Sequence, residues 1–217
     1  MRRREFTSLL GAAVAWPLAA RAQTAKASRV SYLALLPGED STLVQPFLQR
    51  IRELGYIEGK NLMFEYRSAE GRAERLPQLA ADFVRANPDV LVAGFGTLAA
   101  QAAKAATTTI PIVFTSVGDP TGAGLVASLN RPGANVTGVT SKASDLVGKR
   151  LQILNDLIPG KQIVAVLLNP DTPFSALALQ ELRTANAGRQ RIEVFEARNA
   201  DQFQPASTPR PRPALPV

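Results

Sequence analysis

Asp89-Val90-Leu91-Val92-Ala93-Gly94-Phe95-Gly96-Thr97, then an alanine-rich segment over Leu98 to Ala106, then Ile110-Pro111-Ile112-Val113-Phe114: this stretch decides the fold. A short, nearly continuous apolar run is what a strand buried on both faces shows. The alanine-rich segment has helical length and propensity, and a second apolar run follows it. Strand, helix and strand in that spacing make a βαβ unit, whose strands lie parallel. Pro111 sits at the start of its run, where a missing donor is tolerated.

The same rhythm extends outward in both directions. Val30 to Leu36 reads as a first strand, ended by Pro37-Gly38. Ser41 or Thr42 can cap a helix to about Leu54, with Gly55 closing it. Asn61 to Arg67 alternates as an edge or near-edge strand, and a helix follows over about Ala73 to Ala86. Asn87-Pro88 stops that helix, because a proline pushes its predecessor out of helical geometry. Downstream, Thr115 to Pro120 reads as a loop, Gly124 to Leu129 as a short helix, and Val136 to Thr140 as a fifth strand. A helix from about Ser144 to Leu157, a strand over Ile163 to Leu168, a helix from about Ser175 to Ala187 and a strand over Arg191 to Phe195 start a second α/β unit. The expected organisation is a doubly wound parallel-sheet lobe over 29–140, then an incomplete second α/β lobe over 141–200.

The ends read differently. Met1-Arg2-Arg3-Arg4-Glu5-Phe6 is basic, Thr7 to Ala19 carries no charge, and Ala20-Arg21-Ala22 places small residues at a cleavage site. That order is the secretory pattern, and Arg3-Arg4 with Phe6 fits a twin-arginine signal over 1–22. The apolar run is too short for a membrane-spanning helix, which needs about 20 residues. The expected location is therefore the periplasm. Residues 201–217 hold prolines at 205, 209, 211, 213 and 216 and read as a disordered tail.

Composition narrows the chemistry. Of 25 basic and 18 acidic residues, the signal carries four and one, so a net charge of +7 falls to +4 without it. No basic run follows the signal, which gives no support to nucleic-acid binding. The chain has no His and no Cys. Serine–histidine hydrolysis, thiolate nucleophiles and imidazole- or thiolate-bound metals are thereby excluded. No dinucleotide fingerprint or phosphate-binding glycine–lysine loop is present, so no cofactor is expected. Binding is favoured over catalysis. An exported α/β enzyme using Asp119 or a serine is the alternative, and it lacks a nucleophile elbow.

In a doubly wound sheet, ligands sit at the carboxyl ends of the strands. That rule selects Pro37 after the first strand, and Gly94, Phe95, Gly96 and Thr97 after the third. It also selects Thr115, Ser116 and Asp119 after the fourth, Thr140 at the crossover and Asn169 at the mouth of the second lobe. Gly96 allows close backbone approach, and Thr97 can cap a helix whose start favours a carboxylate. Phe95 can stack on an apolar group or can fill a tight turn. Asp119 can hold an ammonium or can cap the turn that follows it.

Thr109 to Pro120, Gly124 to Val139, Glu53 to Asn61, Glu65-Tyr66-Arg67 and Val166 to Pro170 together resemble the substrate-binding proteins of bacterial ABC transporters with the type I periplasmic-binding-protein fold. The resemblance covers residues 1 to about 200. It implies two α/β lobes joined by crossover strands, a small solute enclosed between them, with an amino-acid-like one among the candidates, and delivery to a membrane permease and ATPase. It implies no catalysis. Family members complete a second lobe as large as the first. The change of pattern at about Asp201 therefore reads as a truncation or frameshift, and a non-functional relic is the competing expectation.

Overall fold

The computed structural model describes residues 27–38, 44–160, 162–199 and 201–203. The signal sequence, the candidate caps Ser41 and Thr42, and the tail from residue 204 lie outside these residues; residues 201–203, expected to begin that disordered tail, instead form a helical turn.

Five strands form one parallel sheet: β1 (Ser28–Ala34), β2 (Leu62–Ser68), β3 (Val90–Gly94), β4 (Ile112–Val117) and β5 (Val136–Thr140). Their order is β2-β1-β3-β4-β5. The direction of winding therefore reverses between β1 and β3, which leaves a crevice at the carboxyl ends of those two strands. β2 is an edge strand, as its alternation implied.

Side chains of β1 alternate between the two faces. Leu33 joins Leu91, Ala93, Ile112 and Phe114 beneath α2 (Leu76–Ala86) and α3 (Thr97–Ala106). Small residues Ala99, Ala100 and Ala103 let α3 lie close to the sheet, and all three are buried. Tyr32 and Ala34 point to the opposite face, where Val44, Phe47 and Leu48 of α1 (Val44–Glu53) cover them. α1 ends as Gly55 requires. The Gly55 N–H donates to the Arg52 carbonyl at 2.9 Å and the Tyr56 N–H to the Ile51 carbonyl at 3.1 Å, with Gly55 at φ 92°. These bonds satisfy carbonyls that the helix end leaves open. α2 is preceded by a single 3₁₀ turn over Ala73–Arg75 and ends at Asn87, which adopts φ 50° ahead of Pro88.

Three expectations for the first unit are corrected. β4 runs on to Val117 instead of ending at Phe114, because Thr115 still pairs with Val139 of β5. Gly124 to Leu129 is not helical. Asp119 and Gly124, the latter at φ 68°, instead wind 119–125 into turns that deliver Leu125 and Val126 to the core. Thr97 is the first residue of α3 and not its cap; Gly96 occupies the cap position without a side-chain bond.

Beyond β5 the chain builds a separate two-stranded parallel sheet from β6 (Ile163–Leu168) and β7 (Arg191–Glu196). Helices α4 (Val147–Leu157) and α5 (Pro173–Asn186) cover one face of it through Leu151, Val164 and Leu182. Thr172 caps α5, its hydroxyl accepting from the Ser175 N–H. The helix therefore begins before the predicted Ser175, at a threonine–proline pair, the arrangement a helix start favours.

Candidate functional site

A cavity of about 250 Å³ opens at the β1/β3 reversal. Leu35 forms one wall, and Phe95, Gly96, Thr97 and Leu98 another. Ser116 and Gly118 come from the end of β4, Ser141 and Ala143 from the crossover, and Thr172 and Phe174 from the start of α5. The cavity thus lies where the first sheet meets the second α/β unit. A neighbouring cavity of about 270 Å³ is lined by Tyr32, Phe47, Thr115 and the same Phe95 and Ser116.

Two backbone irregularities create the shared wall. Phe95 has φ 54° and Ser116 has φ 56°, a region that side chains enter at a cost of about 1–2 kcal/mol. At Ser116 the β4–β5 register shifts, a bulge that re-aims the serine out of the pleat. At Phe95 the turn is held by its N–H, which donates to Thr115 Oγ1 at 3.0 Å, while the Gly96 N–H reaches the Thr115 carbonyl at 3.4 Å. Thr115 therefore ties the β3 loop to β4. Phe95 remains 44 % exposed, a large apolar ring presented to the cavities.

Tyr32 supports this wall from the sheet. Its ring stacks on Tyr66 with centroids 5.8 Å apart and meets Phe47 edge-on at 5.7 Å. Room for the ring exists because position 94 is glycine; a Cβ there would stand 2.1 Å from the Tyr32 ring. Burial pushes the Tyr32 phenol above the ordinary tyrosine range, while its hydrogen bond with Thr115 pulls the other way. The folded state thus favours the neutral phenol. That contribution is complete below about pH 10 and is lost as pH rises through the raised value. In urea titrations from pH 8 to 11, the protein should lose stability more steeply than Tyr32→Phe above about pH 10. Parallel curves would show that Tyr32 ionises as freely in the fold as out of it.

The sequence-selected residues divide into two groups. Phe95, Gly96, Thr97, Thr115 and Ser116 come together on the cavities. Gly94 is buried behind them and makes room for Tyr32. Pro37 is exposed and lines neither cavity. Asp119 lines neither: its Oδ1 accepts from the Thr121 N–H at 3.1 Å and the Gly122 N–H at 2.8 Å. Thr140 donates to the Val117 carbonyl at 2.8 Å and accepts from the Lys142 N–H at 3.0 Å. Asn169 accepts from the Asp171 N–H and donates to the Arg198 carbonyl. These last three hold turns around the opening.

Sequence reasoning missed Tyr32, Phe47, Thr172 and Phe174. Tyr32 and Phe47 sit in an apolar strand and on an apolar helix face, where nothing local separates a cavity wall from core. Thr172-Pro173 carried a signal, since a hydroxyl residue before proline marks a helix start at a strand's carboxyl end. Phe174 lies over Gly118, where a Cβ would stand 2.4 Å from its ring.

Comparison with known proteins agrees with this fold. Residues 37–205 match the family described as ABC transporter substrate binding protein. The chain belongs to that family. A curated relative, the tyrosine-binding protein of Clostridioides difficile, is 33 % identical over 150 residues, covering 69 % of this chain and 42 % of the relative. A conserved domain protein of Vibrio cholerae superposes with a TM-score of 0.75 at 34 % identity, over 83 % of this chain and 61 % of that structure. A Streptococcus ABC domain solved with L-Trp superposes with a TM-score of 0.73 at 21 % identity, again over 83 % and 61 %. The chain therefore spans less than two thirds of the length of these family members. Its parallel α/β architecture is that of the type I periplasmic-binding-protein family.

Proposed function

We propose that this chain is the solute-binding component of an ABC importer, which holds a small molecule between its two α/β units, 29–140 and 141–200, and hands it to a permease and ATPase. The observation that carries this reading is the cavity at the β1/β3 reversal, with Phe95 on one wall and Phe174 on the other. An aromatic or branched apolar group fits such walls, and the hydroxyls of Thr97, Ser116, Ser141 and Thr172 fit the polar end of a solute. Binding closes the units about the crossover at Thr140-Ser141 and excludes water from those contacts. The absence of His and Cys from the sequence accords with binding without catalysis. Its basic, apolar and small-residue start over 1–22 accords with export to the periplasm.

The test is thermal and urea unfolding against a panel of aromatic and aliphatic amino acids, their deaminated acids, sugars and nucleosides. A true solute at tenfold its dissociation constant stabilises the native state by about 1.4 kcal/mol. No stabilisation by any panel member would favour the alternative reading, a chain that folds without binding.

A further inference from the structure

The start of α5, in the second unit, rests on a turn of the first. The three heavy atoms nearest to where a Gly118 Cβ would be all belong to the Phe174 ring, the closest at 2.4 Å. The ring thus fills the space that a side chain at 118 would need. Three residues further along α5, Leu177 Cδ1 stands 3.1 Å from where a Gly122 Cβ would be. Gly118 also fastens the crossover, since its carbonyl accepts from Thr140 Oγ1 at 3.4 Å and Ser144 Oγ at 3.5 Å.

α5 has two apolar sides with different partners. Leu179 and Leu182 pack into the core of the second unit, together with Leu151 and Val164. Phe174 and Leu177, three apart and so on one side of the helix, belong to no core cluster, yet both are half-buried. What covers them is the Gly118–Gly122 turn. The Thr172 cap and Pro173 fix the first turn of α5 and so the direction of the ring. Parting the units at this contact would return two apolar side chains to water, which opposes opening. Phe174 also lines the cavity, so the contact sits at the mouth of the proposed site.

We infer that Phe174 and Leu177 form a latch: seated on Gly118 and Gly122, they hold the two units closed over the cavity before solute enters. The function of the latch rests on the solute-binding reading above. Solute enters when the latch lifts, and binding then stabilises an arrangement that the empty chain already favours.

Spin labels on a cysteine pair at the exposed positions Ala105 of α3 and Thr184 of α5 report the separation of the units, and the natural sequence has no Cys to interfere. In the solute-free full chain the distances should form one narrow distribution. Gly118 is not in the left-handed region, so its backbone accepts alanine, and the added methyl displaces the ring. Gly118→Ala, Phe174→Ala and Leu177→Ala should each broaden the distribution and lengthen it by several ångström. In the Phe174→Ala background the methyl meets no ring, so Gly118→Ala should add nothing further. Circular dichroism matching the parent's shows that each variant is folded. If Gly118→Ala fails that check, the two α5 truncations carry the test. A broad parent distribution, or distances unchanged by the α5 truncations, would overturn the latch. Equal shifts from Gly118→Ala with and without the Phe174 ring would do the same. With no solute in the experiment, these outcomes leave the solute-binding reading to its own panel.

Discussion

Phe83→Ala should lower the unfolding free energy by roughly 3–5 kcal/mol, the largest stability loss expected of any single truncation in the first unit. Phe83 is fully buried and is among the bulkiest such side chains in the protein. It projects from α2 into the cluster that joins Leu33, Leu91, Ile112 and Phe114 of three strands to the alanines of α3. Removing the ring loses its transfer free energy and leaves a cavity that two helices and a sheet cannot collapse together. A second contribution is at stake. The Arg67 guanidinium lies 4.9 Å from the centre of the Phe83 ring and also pairs with Asp82 at 3.5 Å and with Glu65. Deleting the ring therefore frees the β2 edge from the helix as well. Since whole domains are stable by only about 5–15 kcal/mol, such a loss leaves little margin at 37 °C. Urea unfolding followed by circular dichroism reads the change. Phe83→Leu, which retains most of the volume, should cost less than half as much. A loss below about 1 kcal/mol for the alanine variant would show that α2 is not docked as described.

Much of this fold was legible because its signals are local. Val136 to Thr140 and Ile163 to Leu168 are strands over the stretches that sequence alone marks, and Gly55 and Asn87 end their helices as their residue types require. Those features depend on φ preferences and apolar runs a few residues long. The candidate site was half legible for the same reason. Strand ends can be counted, so Phe95, Gly96, Thr97, Thr115 and Ser116 could be named before any coordinates. The direction in which a side chain points after a strand end is a different matter. Asp119 turns away because two N–H groups two and three residues downstream claim it, and an Asp-Pro turn looks the same in sequence whichever way its carboxylate faces. Tyr32 reaches the second cavity only because Gly94, 62 positions away in the chain, has no side chain to block it. The bulge at Ser116 arises from its pairing with β5. Contacts across strands set these features, and no window along the sequence contains both partners.

Phe95 is where fold and function make opposite demands, and two substitutions at that position separate them. The residue combines φ 54° with a ring that is 44 % exposed and borders both cavities. Nothing in core packing requires a ring there. Alanine keeps the strained backbone and removes the ring, so Phe95→Ala should change stability by less than about 0.5 kcal/mol, as surface substitutions usually do. Its effect on solute binding should be far larger. An aromatic anchor at the centre of a binding site is worth about 2 kcal/mol or more, which is roughly a thirtyfold rise in dissociation constant. Phe95→Gly removes the strain as well. Glycine enters this region freely, at the cost of a more flexible unfolded chain, so relief of about 1–2 kcal/mol is partly offset by about 0.4–1 kcal/mol. The glycine variant should therefore melt at or slightly above the parent temperature while binding as poorly as the alanine variant. Fluorescence or calorimetric titration beside a melting curve reads both quantities from one preparation. If Phe95→Ala instead lowers stability as a core truncation does and leaves affinity unchanged, the ring is turn packing and the binding wall lies elsewhere. If affinity falls with the fold intact, the strain at Phe95 is borne for the solute, because the αL turn that Thr115 holds in place is what turns this ring toward the cleft.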